Sequence, residues 1–98
     1  MAAIEFAWSA TKAAANKRKH HVSFNEAQTV FYDEEALLLT DPDHSDNEDR
    51  FILLGLSANL RVLLVVHSYR DQDATIRIIS ARKANARERS MYEQRRNQ

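Results

Sequence analysis

The 98-residue sequence contains no cysteine, one glycine and one proline. Without cysteine there is no disulfide framework and no thiolate-based structural zinc site, and the chain suits a reducing compartment. Gly55 stands alone, so the glycine-rich loops that cradle phosphates in nucleotide-binding folds cannot form. Serine-hydrolase chemistry also lacks its motif, because "GLS" is not the G-x-S-x-G elbow. The longest apolar run, Val62 to Val66, is far short of the roughly 20 residues that span a bilayer. The opening "MAAIEFAWSATKAAANK" has no long apolar segment, so neither a signal peptide nor a membrane contact is expected. These absences point to a soluble, cytoplasmic chain.

What is present suits one small domain spanning 1–98. Hydrophobic residues make up 44% and aromatics 8%, enough for a folded core of modest size. The formal net charge is zero, but the signs are segregated. Lys12, Lys17, Arg18 and Lys19 occur with His20 and His21 and without an acid. Asp33 to Asp49 carries acids and no cation, whereas cations outnumber Glu88 and Glu93 from Arg82 to Arg96. Such segregation predicts surface potentials of both signs, unless the acidic stretch folds against a basic helix.

The pattern predicts an α+β fold. Ile4, Phe6 and Trp8 alternate as in a short strand. Ser9 or Thr11 can cap a helix through "KAAANKRKHH". In "SFNE", Ser23 and Glu26 have capping-box spacing, and Phe24, Ala27, Val30 and Phe31 give the second helix its apolar face. "ALLLT", "RFILLGLS", "NLRVLLVVHSY" and "ATIRIIS" then read as four strands. They are separated by the polar "DPDHSDNED", where Pro42 restricts Asp41, by a tight turn at 57–59, and by "RDQD". Ser80 can cap a last helix from about Ala81 to Arg96, with Ala84, Glu88, Met91 and Tyr92 inward. The expected order is β-α-α-β-β-β-β-α, a curved antiparallel sheet with helices on one face.

Metal chemistry finds little support. His20 and His21 are adjacent and diverge on a helix, and "DPDHSDNEDR" lacks the spacing and central glycine of a calcium loop. No cofactor is expected. RNA cleavage suits these residues better, because the 2′-hydroxyl of RNA is itself the nucleophile. The protein then supplies a base, a cation for the charge on phosphorus and an acid for the leaving oxygen. Glu48, His20, His44 and His67 are suitable proton carriers, and Arg50, Arg77, Arg82 and Lys83 suitable cations. Simple alternation groups Arg77 with Ile79 and Ala81, and would let His67 approach Arg77 across neighbouring strands. Each residue also has a plainer reading, as an incidental histidine, a solvated arginine or a solvated acidic loop.

Three segments, "KAAANKRKHHVSFNEAQTVFYD", "DPDHSDNEDRFILLGLS" and "LLVVHSYRDQDATIRIISARKANARERSMYE", together resemble the BrnT family of bacterial toxins. The pairing of N-x-x-K-H-x-V-S-F-x-E-A with R-I-I-S-A-R-x-A is the specific part. The resemblance implies a RelE-like domain and a ribonuclease toxin of a type II toxin–antitoxin system. It implies block of translation by RNA cleavage, and a hetero-oligomer with a BrnA-like antitoxin through which alone promoter DNA is bound. Motif positions fall on Asn16, Lys19, His20, Glu48, Arg50, Arg77, Ser80, Arg82 and Ala84. Trp8-Ser9-Ala10 stands where the family reads tryptophan-aspartate-proline, and His21 where it reads glycine. The resulting expectation assigns catalysis to Glu48, Arg50, His67, Arg77 and Arg82, and RNA binding to Lys12, Lys19, His20 and Lys83. The alternatives are a non-catalytic nucleic-acid or protein-binding module, or an inactive relative.

Overall fold

The structure, a computed structural model, describes residues 4–41, 49–72 and 74–98. Within them, β1 (Glu5–Ala7), β2 (Leu37–Thr40), β3 (Phe51–Leu56), β4 (Val62–Arg70) and β5 (Thr75–Lys83) form one sheet ordered β1-β5-β4-β3-β2. The pairs from β2 to β5 are antiparallel, but β1 runs parallel to β5 with Phe6 opposite Ile76. The sheet is therefore mixed, which corrects the all-antiparallel expectation. No local turn signal could have marked this pairing of strands about seventy residues apart.

The helices are α1 (Ala10–His20), α2 (Phe24–Thr29) and α3 (Ala86–Arg96), with a 3₁₀ turn at Val30–Tyr32. They do not share one face of the sheet. Leu53, Leu63, Val65, Ile78 and Ala81 meet Val22, Phe24, Ala27 and Val30 of the α1–α2 layer. Their strand neighbours Leu54 and Leu64 point the other way and meet Ala84 and Tyr92 of the α3 segment. The first of these surfaces is called the first face below, and the second the second face. Among the described residues no helix is long and apolar enough to cross a membrane.

Polar side chains fix the joints. Ser9 caps α1 by accepting the Lys12 N–H at 3.3 Å. Helix α1 ends at His21, whose backbone is left-handed (φ 59°, ψ 32°) and whose N–H donates to Lys17 O. Buried Asn16 donates to Val22 O at 3.0 Å and Ala81 O at 2.8 Å, and accepts the Ala81 N–H at 3.1 Å. One amide thus satisfies the β5 edge beyond the end of β1 and holds the turn after α1.

Ser23 accepts the Glu26 N–H at 3.0 Å, but the reciprocal half of the expected capping box is replaced. The Glu26 carboxylate instead pairs with Arg61 and accepts from Ser57 Oγ at 2.7 Å. The Arg61 guanidinium holds the Glu26 carboxyl below its ordinary range, against the upward push of burial. Arg61 also donates to His21 O at 3.2 Å, tying the β3–β4 hairpin to both helices.

β5 runs on to Lys83, so Ser80 lies within a strand and caps nothing. Asn85 caps α3 in a complete capping box: it accepts the Glu88 N–H at 2.8 Å, and Glu88 accepts the Asn85 N–H at 2.9 Å. Met91, expected inward, is exposed, whereas Tyr92 is buried. Its hydroxyl donates to Asp33 at 2.6 Å, and the Leu56 N–H donates to the same carboxylate oxygen at 2.8 Å. Burial and Asp33 push the Tyr92 phenol up to about 12, so this donor keeps its proton. Gly55 permits the close approach beside Asp33, since a Cβ there would lie 2.8 Å from Ala36 Cβ.

Candidate functional site

The register between β4 and β5 breaks between Val66 and His67. Val66 lies opposite Ser80 and His67 opposite Ile78, so Ile79 is the extra residue of a β-bulge. A bulge resets the alternation. Ile76, Ile78 and Ala81 keep to the first face, while Arg77, Ser80 and Arg82 all turn to the second. The grouping of Arg77 with Ile79 and Ala81 is thereby corrected, and Arg77 joins Arg82.

Cross-strand rows define this surface. Leu54, Leu64 and Arg82 form one, beneath α3. Ile52, Val66 and Ser80 form the next, a half-buried apolar strip ending in a hydroxyl. Ser68 faces Arg77 in the third, and alternation from Phe51 brings Arg50 to its end. Arg77 and Arg82 are separated by about 13 Å of paired strand, so they attend different positions. Arg82 is oriented from α3: its two terminal nitrogens donate to the Glu88 oxygens at 2.8 and 2.9 Å. Arg82 holds the Glu88 carboxyl below its ordinary range, while burial pushes the other way.

The remaining expected residues fall elsewhere. His67 faces Ile78 rather than Arg77, fully buried on the first face among Phe31, Phe51 and Tyr69. Its Nδ1 lies 3.1 Å from Val65 O, which can only accept, so Nδ1 carries the proton. Nε2, 3.2 Å from the Tyr69 hydroxyl, is then the acceptor. Burial lowers the His67 pKa and keeps the ring neutral. His67 therefore has no access to the second face. Lys83 projects to the first face opposite Leu63. Lys12, Lys19 and His20 sit on α1, in the first-face layer. Glu48, His44 and the turn at Pro42 lie outside the described residues. Among the described residues no cluster of three or more histidine or acidic side chains is placed to hold a metal.

Sequence reasoning missed Glu88 as the partner of Arg82. The signal was present as the N-x-x-E spacing of Asn85 and Glu88, but Ser80 competed for the same role. Asn16 and Glu26, prominent in the motif, prove to be joints of the fold.

Fold and surface together define a small α+β protein that spaces arginines along one sheet face. A family model described as "Ribonuclease toxin, BrnT, of type II toxin-antitoxin system" matches residues 8–88, and the chain belongs to that family. An antitoxin partner is implied by that membership. The fold is similar to the 1.1 Å crystal structure of the Brucella abortus ribonuclease toxin BrnT. The TM-score is 0.63 at 20% identity, over 85% of this chain and 99% of that one. A comparison with curated proteins found no match.

Proposed function

We propose that the chain is a metal-independent endoribonuclease whose cleavage site is the second sheet face. The observation that carries this is the bulge at Ile79, which turns Arg77, Ser80 and Arg82 to one surface beside Ser68 and Arg50. Their guanidiniums suit phosphate oxygens, and the strip of Ile52 and Val66 suits the flat face of a base. The RNA 2′-oxygen attacks the adjacent phosphorus, the 5′-oxygen leaves, and a 2′,3′-cyclic phosphate results. Arg77 stabilises the added charge in the transition state, and Arg82 and Arg50 position the neighbouring backbone. Glu48 is the proposed base that takes the 2′-hydroxyl proton, and a solvent water gives the departing 5′-oxygen its proton.

In this reading the domain is RelE-like and cytoplasmic, inhibits translation, and is neutralised in a hetero-oligomer with a BrnA-like antitoxin that alone brings promoter DNA. Purified protein should cut RNA in the presence of a chelator and leave the cyclic phosphate. Arg77→Ala should slow cleavage about 100-fold or more while the fold persists. Intact RNA with folded wild-type protein would refute the assignment in favour of a binding module.

A further inference from the structure

We propose that α1 is a second RNA-contacting surface, separate from the cleavage face, which engages the phosphate backbone of RNA extending beyond the cut. The inference rests on the reading that the chain acts on RNA. Its observations lie on a different element. Lys12, Lys17, Arg18 and Lys19 are all exposed on α1, and the helix contains no acid. Among the described residues no acid pairs with any of them, whereas Arg61 and Arg82 each have a carboxylate.

Helix stability does not account for this pattern. Lys17, Arg18 and Lys19 lie in the last turn, where cations complement the helix dipole. Lys12 lies in the first turn, where a cation opposes it and a glutamate would complete a capping box with Ser9. Its charge is therefore kept against the local preference. The rest of the exposed surface of α1 is Ala10, Thr11, Ala14 and Ala15, with no aromatic or large apolar anchor. A stable protein interface draws on such anchors and is depleted in lysine at its centre. Phosphate contacts need only cations on a surface that a backbone can approach closely.

Position joins the two surfaces. Asn16 stitches α1 to Ala81 of β5, adjacent to Ser80 and Arg82. An RNA strand leaving the cleavage face over the β5 edge meets α1 next. Short RNA can occupy only the first surface, and longer RNA both.

The test uses the full chain with Lys12, Lys17, Arg18 and Lys19 all changed to glutamine. Binding is measured on uncleavable 2′-O-methyl RNAs of about 40 and about 5 nucleotides, and the salt slope of the longer should fall by up to about 3. Affinity for the longer RNA should drop at least tenfold, and for the shorter far less. Equal losses at both lengths, or none on the longer RNA, would overturn the proposal. A second variant, Lys12→Glu, should raise Tm by completing the capping box while weakening long-RNA binding. Stabilisation with unchanged binding would assign Lys12 no contact and count against the surface. Because the probes cannot be cut, these outcomes are independent of catalysis. Wild-type protein that fails to cleave but shows the length-dependent loss refutes the nuclease reading alone.

Discussion

His21 holds the turn between α1 and α2 in a conformation that favours glycine. Its φ of 59° brings Cβ toward the carbonyl oxygen, a cost of roughly 1–2 kcal/mol for an L-residue. The turn persists because its neighbours over-determine it: the His21 N–H donates to Lys17 O, Asn16 holds Val22 O, and Arg61 holds His21 O. His21→Gly removes the strain and leaves all three bonds, at the expense of some unfolded-state entropy. The expected gain is about 1 kcal/mol, which raises Tm by roughly 4–8 °C for a chain this size. Thermal denaturation of the variant measures it, and an unchanged or lower Tm would show that the imidazole makes a compensating contact. Residue chemistry was legible here to the extent that α1 had to stop near His21. The resemblance, which puts a turn-permitting glycine where His21 stands, pointed to a left-handed turn, but the contacts of Asn16 and Arg61 that hold a histidine in it come from a distance and were not legible.

At the scale of elements, sequence pattern found each strand and α-helix of the described residues, and failed where two local solutions were equivalent. "IRIIS" satisfies either alternation, since Ile78 and Ile79 are both apolar, so the bulge was invisible until β4 fixed the register. "SARKANARERS" offers two caps, Ser80 and Asn85, with helix-forming residues after each. Pairing of Leu63 and Leu64 with Lys83 and Arg82 extends β5 and leaves the cap to Asn85. Both failures fell on the segment that builds the proposed site, which explains why alternation alone put Arg77 and Arg82 on different faces, although the resemblance had assigned both to catalysis. The cap assignment has a direct check. Asn85→Ala should cost about 1 kcal/mol, the usual loss for a capping amide. Ser80→Ala should leave helicity and Tm nearly unchanged. Circular dichroism and thermal melts of the two variants decide the matter, and equal losses would contradict the described start of α3.

The whole molecule places its titratable groups so that stability has a two-stage dependence on acid. Among the described residues, the carboxyls of Asp33, Glu26 and Glu88 are held below their ordinary range. For Asp33, burial pushes upward but is outweighed by hydrogen bonds from Leu56, Tyr92 and Glu35. Glu26 and Glu88 are held down chiefly by Arg61 and Arg82. A depressed carboxyl contributes stability above its unfolded pKa, and that contribution is lost as pH falls through the folded value. For these three the loss begins near the ordinary values of 3.8 and 4.5 and continues below them. His67 is also depressed, by burial, so the same sign applies at higher pH. The unfolded imidazole takes up its proton near 6.5 while the folded one stays neutral. Stability therefore begins to fall as pH drops below about 6.5, before any of the three carboxyls responds. Urea denaturation from pH 8 to pH 3 should show two descending steps. His67→Gln is less stable at neutral pH, because a buried aromatic contact is lost. Its curve should nonetheless be flat between pH 7 and pH 5, with only the acidic step remaining. A step of wild-type size in that window would mean that another group titrates there, and that His67 is not buried neutral beneath the face opposite the arginines.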